Sequence, residues 1–161
     1  MSCYPLFPRN FHSLLLYLQT MMSKKCKYAL KALMRLGKHY EQGHLQTAYI
    51  AETENIPKKF LEQILLELKH AHMVSSKQGS GGGYFLIKNP KDISVADVYR
   101  LFDGAIALLP CVSLNFYEKC DDCTSEKECT MQREFIKIRE GARKVMSKTS
   151  IQSLLNEPDN Q

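Results

Sequence analysis

Four cysteines in the C-terminal half carry the clearest potential for chemistry: Cys111, Cys120, Cys123 and Cys129. They are separated by eight, two and five residues, and the whole chain has six cysteines. A Cys-x-x-Cys pair lets two thiolates meet one metal ion, and two further thiolates can complete a zinc site or ligate an iron–sulfur cluster. The spacing alone does not separate these two cofactors. It also leaves open a redox-active dithiol at Cys120 and Cys123, or four unligated thiols.

Acidic residues surround these cysteines. Their negative charge favours a bound cation and should raise the pKa values of the free thiols. It should also disfavour adding an electron to a cluster, which predicts a low reduction potential if iron binds. The acidic residues are Glu118, Asp121, Asp122, Glu126 and Glu128.

Positive charge is concentrated in a different part of the chain. Residues 22–91 carry 12 Lys and Arg against 5 Asp and Glu, whereas residues 92–161 carry 9 against 12. This division indicates that the first segment binds a polyanion and that the second has another task. No apolar run is long enough to cross a bilayer, so we expect a soluble protein with no membrane partner.

Residues 1–21 form an N-terminal extension that needs separate treatment. Arg9 is its one basic residue, and no small-residue cleavage site follows its apolar stretch, so a secretory signal is not expected. We predict that the extension is disordered or precedes the natural start at Met22. A cytoplasmic protein keeps its thiols reduced, which favours metal or redox chemistry over disulfides.

Apolar residues at helical spacing predict three helices in the basic segment: residues 24–40, a short helix with Thr47 as its N-cap, and residues 58–70 after Pro57. The second and third helices, joined by a tight turn, form a helix-turn-helix candidate. In the third helix, two lysines add to the positive helix N-terminus, and Gln and Glu side chains can read base edges in the major groove. A solvated face without a ligand is the alternative. The side chains concerned are Lys58, Lys59, Phe60, Glu62 and Gln63.

Two short β-prone runs, residues 73–76 and 84–87, flank a glycine-rich tip and predict a β-hairpin wing. The glycines permit positive φ and close approach to another surface, with Lys77 beside the tip. A phosphate-binding loop would need Gly-Lys-Ser/Thr followed by a helix, and here Tyr84 begins a strand instead. A plain tight hairpin remains the alternative.

The C-terminal half should contain two helices around the cysteine loop. Ser94 caps a helix at residues 95–102, and Thr130 caps a long helix with a narrow apolar stripe. A second copy of the same helix is the natural cover for such a stripe, so we expect a homodimer. The stripe consists of Met131, Phe135, Ile138, Ala142 and Val145.

Residues 23–37, 50–86 and 93–104 resemble the Rrf-two family of bacterial winged helix-turn-helix transcription regulators. The stretches LEQILLEL and GSGGGY are the most specific parts of the resemblance. It implies a mainly α fold with a small β-hairpin wing and a homodimer whose C-terminal helices cross. It also implies a palindromic duplex DNA operator, with the wing tips in the minor groove. Gln78 stands where some members have an arginine, so that contact should be weaker or pass to Lys77.

For the cysteines, the resemblance implies a ligand set that this chain changes. Iron–sulfur members use three cysteines and a histidine; Cys123 and Cys129 match their five-residue spacing, and Gln132 stands in place of the histidine. An all-cysteine site would have a lower reduction potential than one with a histidine ligand. The expected ligands are Cys111, Cys120, Cys123 and Cys129, holding a two-iron, two-sulfide cluster rather than a four-iron one, with zinc as the alternative.

The residue pattern and the family resemblance together predict the segments of the chain and the residues that contact DNA. The segments are a 1–21 extension, a 22–91 winged helix-turn-helix domain, a 92–110 connecting helix, a 111–129 cysteine loop, a 130–155 dimerisation helix with C-terminal segment, and a 156–161 tail. The expected contacts are Lys24, Lys25, Tyr28, Thr47, Pro57, Lys58, Lys59, Phe60, Glu62, Gln63, Lys77, Gln78, Gly79, Ser80, Gly81 and Gly82.

These features predict a cytoplasmic transcription repressor that senses iron, oxygen, nitric oxide or redox state. Loss or oxidation of the cluster would free the cysteine loop and change the spacing of the two recognition helices. The alternatives are a cluster-free or zinc-bearing regulator acting through thiols or a partner protein, and a thiol redox or electron-transfer protein. No catalytic constellation or small-molecule substrate is expected, because the five histidines show no pairing with a nucleophile or acid.

Overall fold

A computed structural model describes residues 22–79 and 81–156. The predictions for residues 1–21, Ser80 and the end of the 156–161 tail lie outside these residues. Two 3₁₀ turns are Pro90–Asp92 and Pro110–Val112. The main elements are α1 (Lys24–Lys38), α2 (Thr47–Glu54), α3 (Lys58–His70), β1 (Val74–Lys77), β2 (Gly83–Leu86), α4 (Val95–Phe102), α5 (Thr130–Lys148) and α6 (Ile151–Asn156). The predicted fold class, mainly α with a small hairpin wing, is confirmed.

Helices α1 and α3 supply nine of the 18 buried core residues. The Ser23 hydroxyl caps α1 by accepting from the Cys26 backbone N–H at 3.0 Å. Helix α1 ends at Lys38, two residues earlier than predicted. Helix α3 begins and ends where the sequence predicts, because its stripe at helical spacing is the face that it buries. The stripe consists of Leu61, Ile64, Leu65 and Leu68, each 0% exposed.

The tight turn between α2 and α3 completes the helix-turn-helix. Asn55 takes the left-handed conformation with φ 52°, which a short polar side chain tolerates, and Pro57 immediately precedes α3. The predicted role of Thr47 as N-cap is wrong by one residue. Gln46 occupies the cap position without a side-chain hydrogen bond, and Thr47 is the first helical residue.

Strands β1 and β2 pair antiparallel, with Val74 opposite Leu86 and Lys77 opposite Gly83. Leu45 adds a short bridge to the hairpin through two backbone hydrogen bonds with Tyr84, at 2.9 and 2.8 Å. Gly83 is needed at this bridge, because a Cβ there would lie 2.3 Å from the Leu45 carbonyl oxygen. The base of the hairpin is therefore tied to the segment that precedes α2.

Helix α4 begins with the predicted cap. The Ser94 hydroxyl accepts from the Asp97 backbone N–H at 3.2 Å, and the Asp97 carboxylate accepts in return from the Ser94 N–H. The prediction for α5 is wrong by one residue, because Cys129 is its N-cap and Thr130 its first helical residue. The cysteine segment is largely irregular, as predicted, apart from the 3₁₀ turn that contains Cys111.

The chain returns to the winged-helix core after α5. Ile151 on α6 is 0% exposed and lies against α1, where a Cβ on Gly37 would lie 3.3 Å from it and 3.0 Å from Leu155. Ile93 joins the same core, and its carbonyl accepts from the Ile151 N–H at 2.9 Å. The core therefore draws on residues beyond 91. Within residues 22–79 and 81–156, no helix is both long and apolar enough to cross a membrane.

Candidate nucleic-acid interface and cysteine site

The N-terminal part of α3 presents the predicted polar face. Pro57, Lys58 and Lys59 are exposed, and so are Glu62 and Gln63, on the side opposite the buried leucines. Positive side chains in the first turn of a helix can approach DNA phosphates while the next turn reaches base edges. The face can therefore supply both kinds of contact.

Phe60 differs from its neighbours, because it is half-buried rather than exposed. Its ring packs edge to face against Tyr28 of α1, with 5.9 Å between ring centroids. The contact joins the start of the candidate recognition helix to α1. Phe60 and Tyr28 therefore orient that helix, whatever they contact outside the protein.

The basic residues of α1 are partly used inside the protein. Lys25 pairs with Glu67 of α3 at 2.7 Å and lies 5.6 Å from the centroid of the Phe102 ring. Arg35 pairs with Glu54 of α2 at 2.7 Å. These contacts reduce the positive charge available to a ligand, whereas Lys24 remains exposed.

At the wing, Lys77, Gln78 and Gly79 are exposed. Gly79 and Gly81 have φ of 102° and 83°, which L side chains rarely adopt, and the Gly82 N–H donates to the Gly79 carbonyl at 2.9 Å. The glycines are therefore required by the turn itself. Thr47, at the start of α2, is half-buried.

The four cysteines of the C-terminal half are free thiols that lie in two pairs. Among the neighbouring side chains, Cys111 raises the pKa of Cys120 most, and Cys129 raises the pKa of Cys123 most. Cys111 is buried at 8% exposure, and the other three are half-buried. The fold thus places the four predicted ligands as two neighbouring pairs, Cys111 with Cys120 and Cys123 with Cys129.

These contacts change the acidity of the thiols. The pKa of Cys120 is raised, first by its hydrogen bond with Cys111 and then by burial, with a smaller contribution from Asp122. The pKa of Cys123 is raised first by burial and then by Cys129, with a smaller contribution from Glu126. Asp122 and Glu126 raise the thiol pKa values, as predicted, but they are not the largest cause of the increase.

The two pairs do not form a preorganised site for one ion. Among the described residues, no three His, Cys, Asp or Glu side chains are placed to hold a single metal ion. Glu126 of the same segment accepts instead from the Tyr117 hydroxyl, a contact that raises the pKa of Tyr117 to about 12. The arrangement offers two separate points of attachment, each made by two thiols.

A sequence match identifies the family. The Rrf2 family, described as "Iron-dependent Transcriptional regulator", matches residues 22–157. The chain belongs to the Rrf2 family. It is therefore a DNA-binding transcription regulator and not an enzyme, as the sequence predicts.

Individual Rrf2-family relatives agree with this assignment. An Rrf2-like HTH-type transcriptional regulator of Rhodobacter capsulatus is 42% identical over 121 residues, covering 73% of this chain and 81% of that protein. IscR of Photorhabdus laumondii is 31% identical over 102 residues, covering 63% and 62%. Among solved structures, CymR, the global cysteine regulator of B. subtilis, superposes with a TM-score of 0.73 at 28% identity, covering 86% of this chain and 98% of CymR.

The long helix of this Rrf2-family protein buries none of its residues within the protomer. Met131, Ile138 and Val145, three members of the predicted stripe, are 59%, 48% and 65% exposed. In the cysteine segment, Leu114 and Phe116 are 62% and 63% exposed. These five apolar side chains are therefore largely uncovered in a single chain.

Asp103 links the end of α4 to the start of α1, and sequence reasoning missed it. Its carboxylate accepts from the Ser23 backbone N–H at 2.9 Å. It also lies near the Cys26 thiol, whose pKa is raised to about 12, first by burial and then by the negative charge of Asp103. The contact spans 80 residues of sequence, so no local pattern could have revealed it.

Gln132 and Arg139 of α5 were also missed as site residues. The Gln132 side chain donates to the Cys111 carbonyl at 3.1 Å, and Arg139 donates to the Val112 carbonyl. The sequence singles out Gln132 only because some members of the family have a histidine at this position. Its seven-residue separation from Arg139 places both on one helix face, which is the one available sequence signal.

Proposed function

We propose that this Rrf2-family regulator is a homodimeric repressor that binds a palindromic operator and holds a two-iron, two-sulfide cluster on Cys111, Cys120, Cys123 and Cys129. The observation that carries the proposal is the arrangement of four free thiols as two neighbouring pairs, Cys111 with Cys120 and Cys123 with Cys129. The expected site of action is the cytoplasm, where thiols remain reduced. The signal is iron, oxygen, nitric oxide or redox state.

The paired thiols fit a dinuclear cluster better than a single zinc ion. A structural zinc ion takes four donors converging on one point, whereas each iron of a two-iron cluster takes two protein ligands. No three side chains in the described ranges converge on one ion, whereas the four thiols lie as two neighbouring pairs. Cys111 and Cys120 would hold one iron, and Cys123 and Cys129 the other.

The surroundings suit a negatively charged group. The Cys129 sulfur accepts from the Gln132 backbone N–H at 3.4 Å at the start of α5, where the positive end of the helix stabilises negative charge. When bound, the cluster supplies a one-electron couple whose potential depends on its ligands and their hydrogen bonds. The Gln132 side chain is turned to the Cys111 carbonyl and is not needed as a ligand.

The uncovered face of α5 supports a homodimer. An apolar stripe on a solitary long helix is best covered by a second copy of the same stripe, in a self-complementary contact. Two symmetric winged-helix units then present two recognition helices, which read two related half-sites. A palindromic operator follows from this symmetry.

In each half-site, α3 and the wing would make the DNA contacts. Lys58, Lys59 and Lys77 make no ion pair with residues in the described part of the chain, so their charge is available to phosphates. Glu62 and Gln63 lie one turn along α3, within reach of base edges. Gln78 at the wing carries no charge, which places the electrostatic contact of the wing on Lys77.

The link at Asp103 provides a route from the cysteine segment to the recognition helix. Asp103 holds the start of α1 through Ser23 and Cys26. On α1, Lys25 contacts both Phe102 and Glu67, and Tyr28 packs on Phe60 at the start of α3. A change in the loop that follows Asp103 would therefore be felt at α1 and, one contact further, at α3.

The test is chemical analysis of protein purified without oxygen. The proposal predicts visible absorption with about two irons and two acid-labile sulfides per protomer. Cys123→Ser should abolish both, while Cys26→Ser, a cysteine in the winged-helix core, should leave them unchanged. Stoichiometric zinc without sulfide, or four free thiols and no metal, would overturn the cluster and leave the DNA-binding assignment intact.

A further inference from the structure

Gln132 contacts one cysteine of each thiol pair. Its backbone N–H donates to the Cys129 sulfur at 3.4 Å, and its side-chain Nε2 donates to the Cys111 carbonyl at 3.1 Å. Cys129 belongs to one pair and Cys111 to the other. A single residue of α5 therefore contacts both thiol pairs.

The turn that carries Cys111 requires outside donors. Within the 3₁₀ turn, the Val112 N–H donates to the Leu109 carbonyl at 3.1 Å and the Ser113 N–H to the Pro110 carbonyl at 3.0 Å. These bonds leave the carbonyls of Cys111 and Val112 for partners outside the turn, since the last carbonyls of a helical turn have no internal donor. Cys111 and Val112 are buried, so water is a poor substitute.

Arg139 supplies the second donor. It lies two turns after Gln132 on α5 and donates Nη1 to the Val112 carbonyl. Its side chain is 12% exposed, and its other donors bind Glu140 at 2.7 and 3.1 Å. Glu140 is held in turn by Arg143 at 2.8 Å. The Arg139 guanidinium is therefore held by the Val112 carbonyl of the turn and by Glu140 of α5.

We propose that Gln132 and Arg139 are positioning residues that hold the Cys111 turn on α5. Gln132 would also set the distance between the two thiol pairs. The ligand role of the thiols rests on the proposed function, whereas the fastening is a property of the metal-free protein. An amide suits this role because it donates a hydrogen bond without adding charge beside four sulfurs. Any movement of α5 would then move Cys111 and Cys129 together.

The experiment measures alkylation of reduced, metal-free protein by iodoacetamide, with each cysteine followed by mass spectrometry. Gln132→Met keeps the length of the side chain and removes the donor. Cys111 should then react about fivefold faster, the change in opening equilibrium that corresponds to about 1 kcal/mol for one lost hydrogen bond. Arg139→Met should act in the same direction, and Arg139→Lys, which keeps a donor, should restore part of the protection.

Two variants serve as matched controls. Gln152→Met on α6 removes an amide that bonds Asn156 at 2.8 Å, away from the cysteines. Lys137→Met removes a basic side chain of α5 that pairs instead with Glu134 at 2.7 Å. Both should leave the Cys111 rate unchanged. Cys26, 0% exposed in the winged-helix core, reports global unfolding in the same sample.

An unchanged Cys111 rate in both Gln132→Met and Arg139→Met would overturn the proposal. Equal acceleration of Cys26 and Cys111 would also overturn it, because it would show general loss of fold instead of a local fastening. In cluster-loaded protein, Gln132→Met should shift the visible circular dichroism spectrum relative to Gln152→Met. Failure to load any cluster would contradict the proposed function alone, since the alkylation result does not depend on metal.

Discussion

The winged-helix part and the C-terminal part of this protein differ in how completely their apolar side chains are buried within one chain. In the first, Leu33, Ile64 and Leu65 are 0% exposed, and α6 returns from the end of the chain to close the same core. In the second, α5 buries none of its residues, and the four cysteines of the preceding segment are free thiols. The DNA-binding part has its core within one chain, whereas the C-terminal part leaves an apolar helix face exposed, as the proposed dimer requires.

This difference fits the division of labour in a regulator. A unit that must dock on a regular duplex benefits from a fixed shape, while a unit that must respond needs a state that a partner or cofactor can change.

The largest expected effect is in the winged-helix core. Leu65→Ala should lower the free energy of unfolding by about 2–5 kcal/mol, because it leaves a cavity in a fully buried position. Leu66→Ala, the next residue on α3 and 49% exposed, should cost about 0.5 kcal/mol or less. Urea unfolding followed by circular dichroism measures both, and similar losses would show that α3 is not packed as described.

The next effect concerns the uncovered helix. Ile138→Asp should weaken the dimer by at least about 2 kcal/mol, or about thirtyfold in dissociation constant, because it would bury a charge against the partner helix. The winged-helix fold should survive as a monomer. Sedimentation equilibrium gives the dissociation constant, with the exposed Ser147→Asp as control. A dimer that tolerates Ile138→Asp would place the interface elsewhere.

A smaller effect is expected for one phosphate contact. Lys59→Ala should weaken binding to all duplexes and reduce the slope of log affinity against log salt by about one, as one fewer counterion is released. Fluorescence anisotropy at several salt concentrations measures the slope. Lys137→Ala, on α5 and paired with Glu134, should leave it unchanged; an equal change in both variants would mean that only net charge matters.

The smallest effect is a loss of folding stability at alkaline pH, caused by the Cys26 thiol. Its pKa is about 12 in the folded protein against 9.0 for the free thiol, so the folded state retains the proton longer. This contribution to stability is complete below pH 9 and is lost as pH rises from 9 toward 12, at no more than about 1.4 kcal/mol per pH unit. Cys26→Ser should therefore lose less stability than the wild type between pH 8 and 10 in urea unfolding. Parallel curves would show that the thiol is not held protonated.

The sequence predicts the winged-helix part well because its signals are local. Pro57 and the spacing of the leucines fix α3, and the glycines around Ser80 fix the hairpin. Helix starts were displaced by one residue at Thr47 and Thr130, because Gln46 and Cys129 are atypical caps that propensity does not favour.

The site was predicted less completely because its key contacts join distant residues. The cysteines are visible from their spacing, but their pairing depends on how the 3₁₀ turn at Cys111 lies on α5. The Gln132 contact spans 21 residues, and the Asp103 contact spans 80. Phe60 was assigned to the exposed face because Tyr28, which covers it, lies on another helix.

The most direct test of the account is the affinity of one dimer for one operator with the cysteine site loaded and empty. The operator would be selected from random duplexes with the purified protein, and affinity measured by anaerobic fluorescence anisotropy at fixed salt. We predict that the loaded and metal-free forms differ by about tenfold or more, the size of a typical coupling between two sites, and that Cys123→Ser behaves as the metal-free form. Equal affinities for the loaded and metal-free forms would contradict the claim that the cysteine site controls DNA binding.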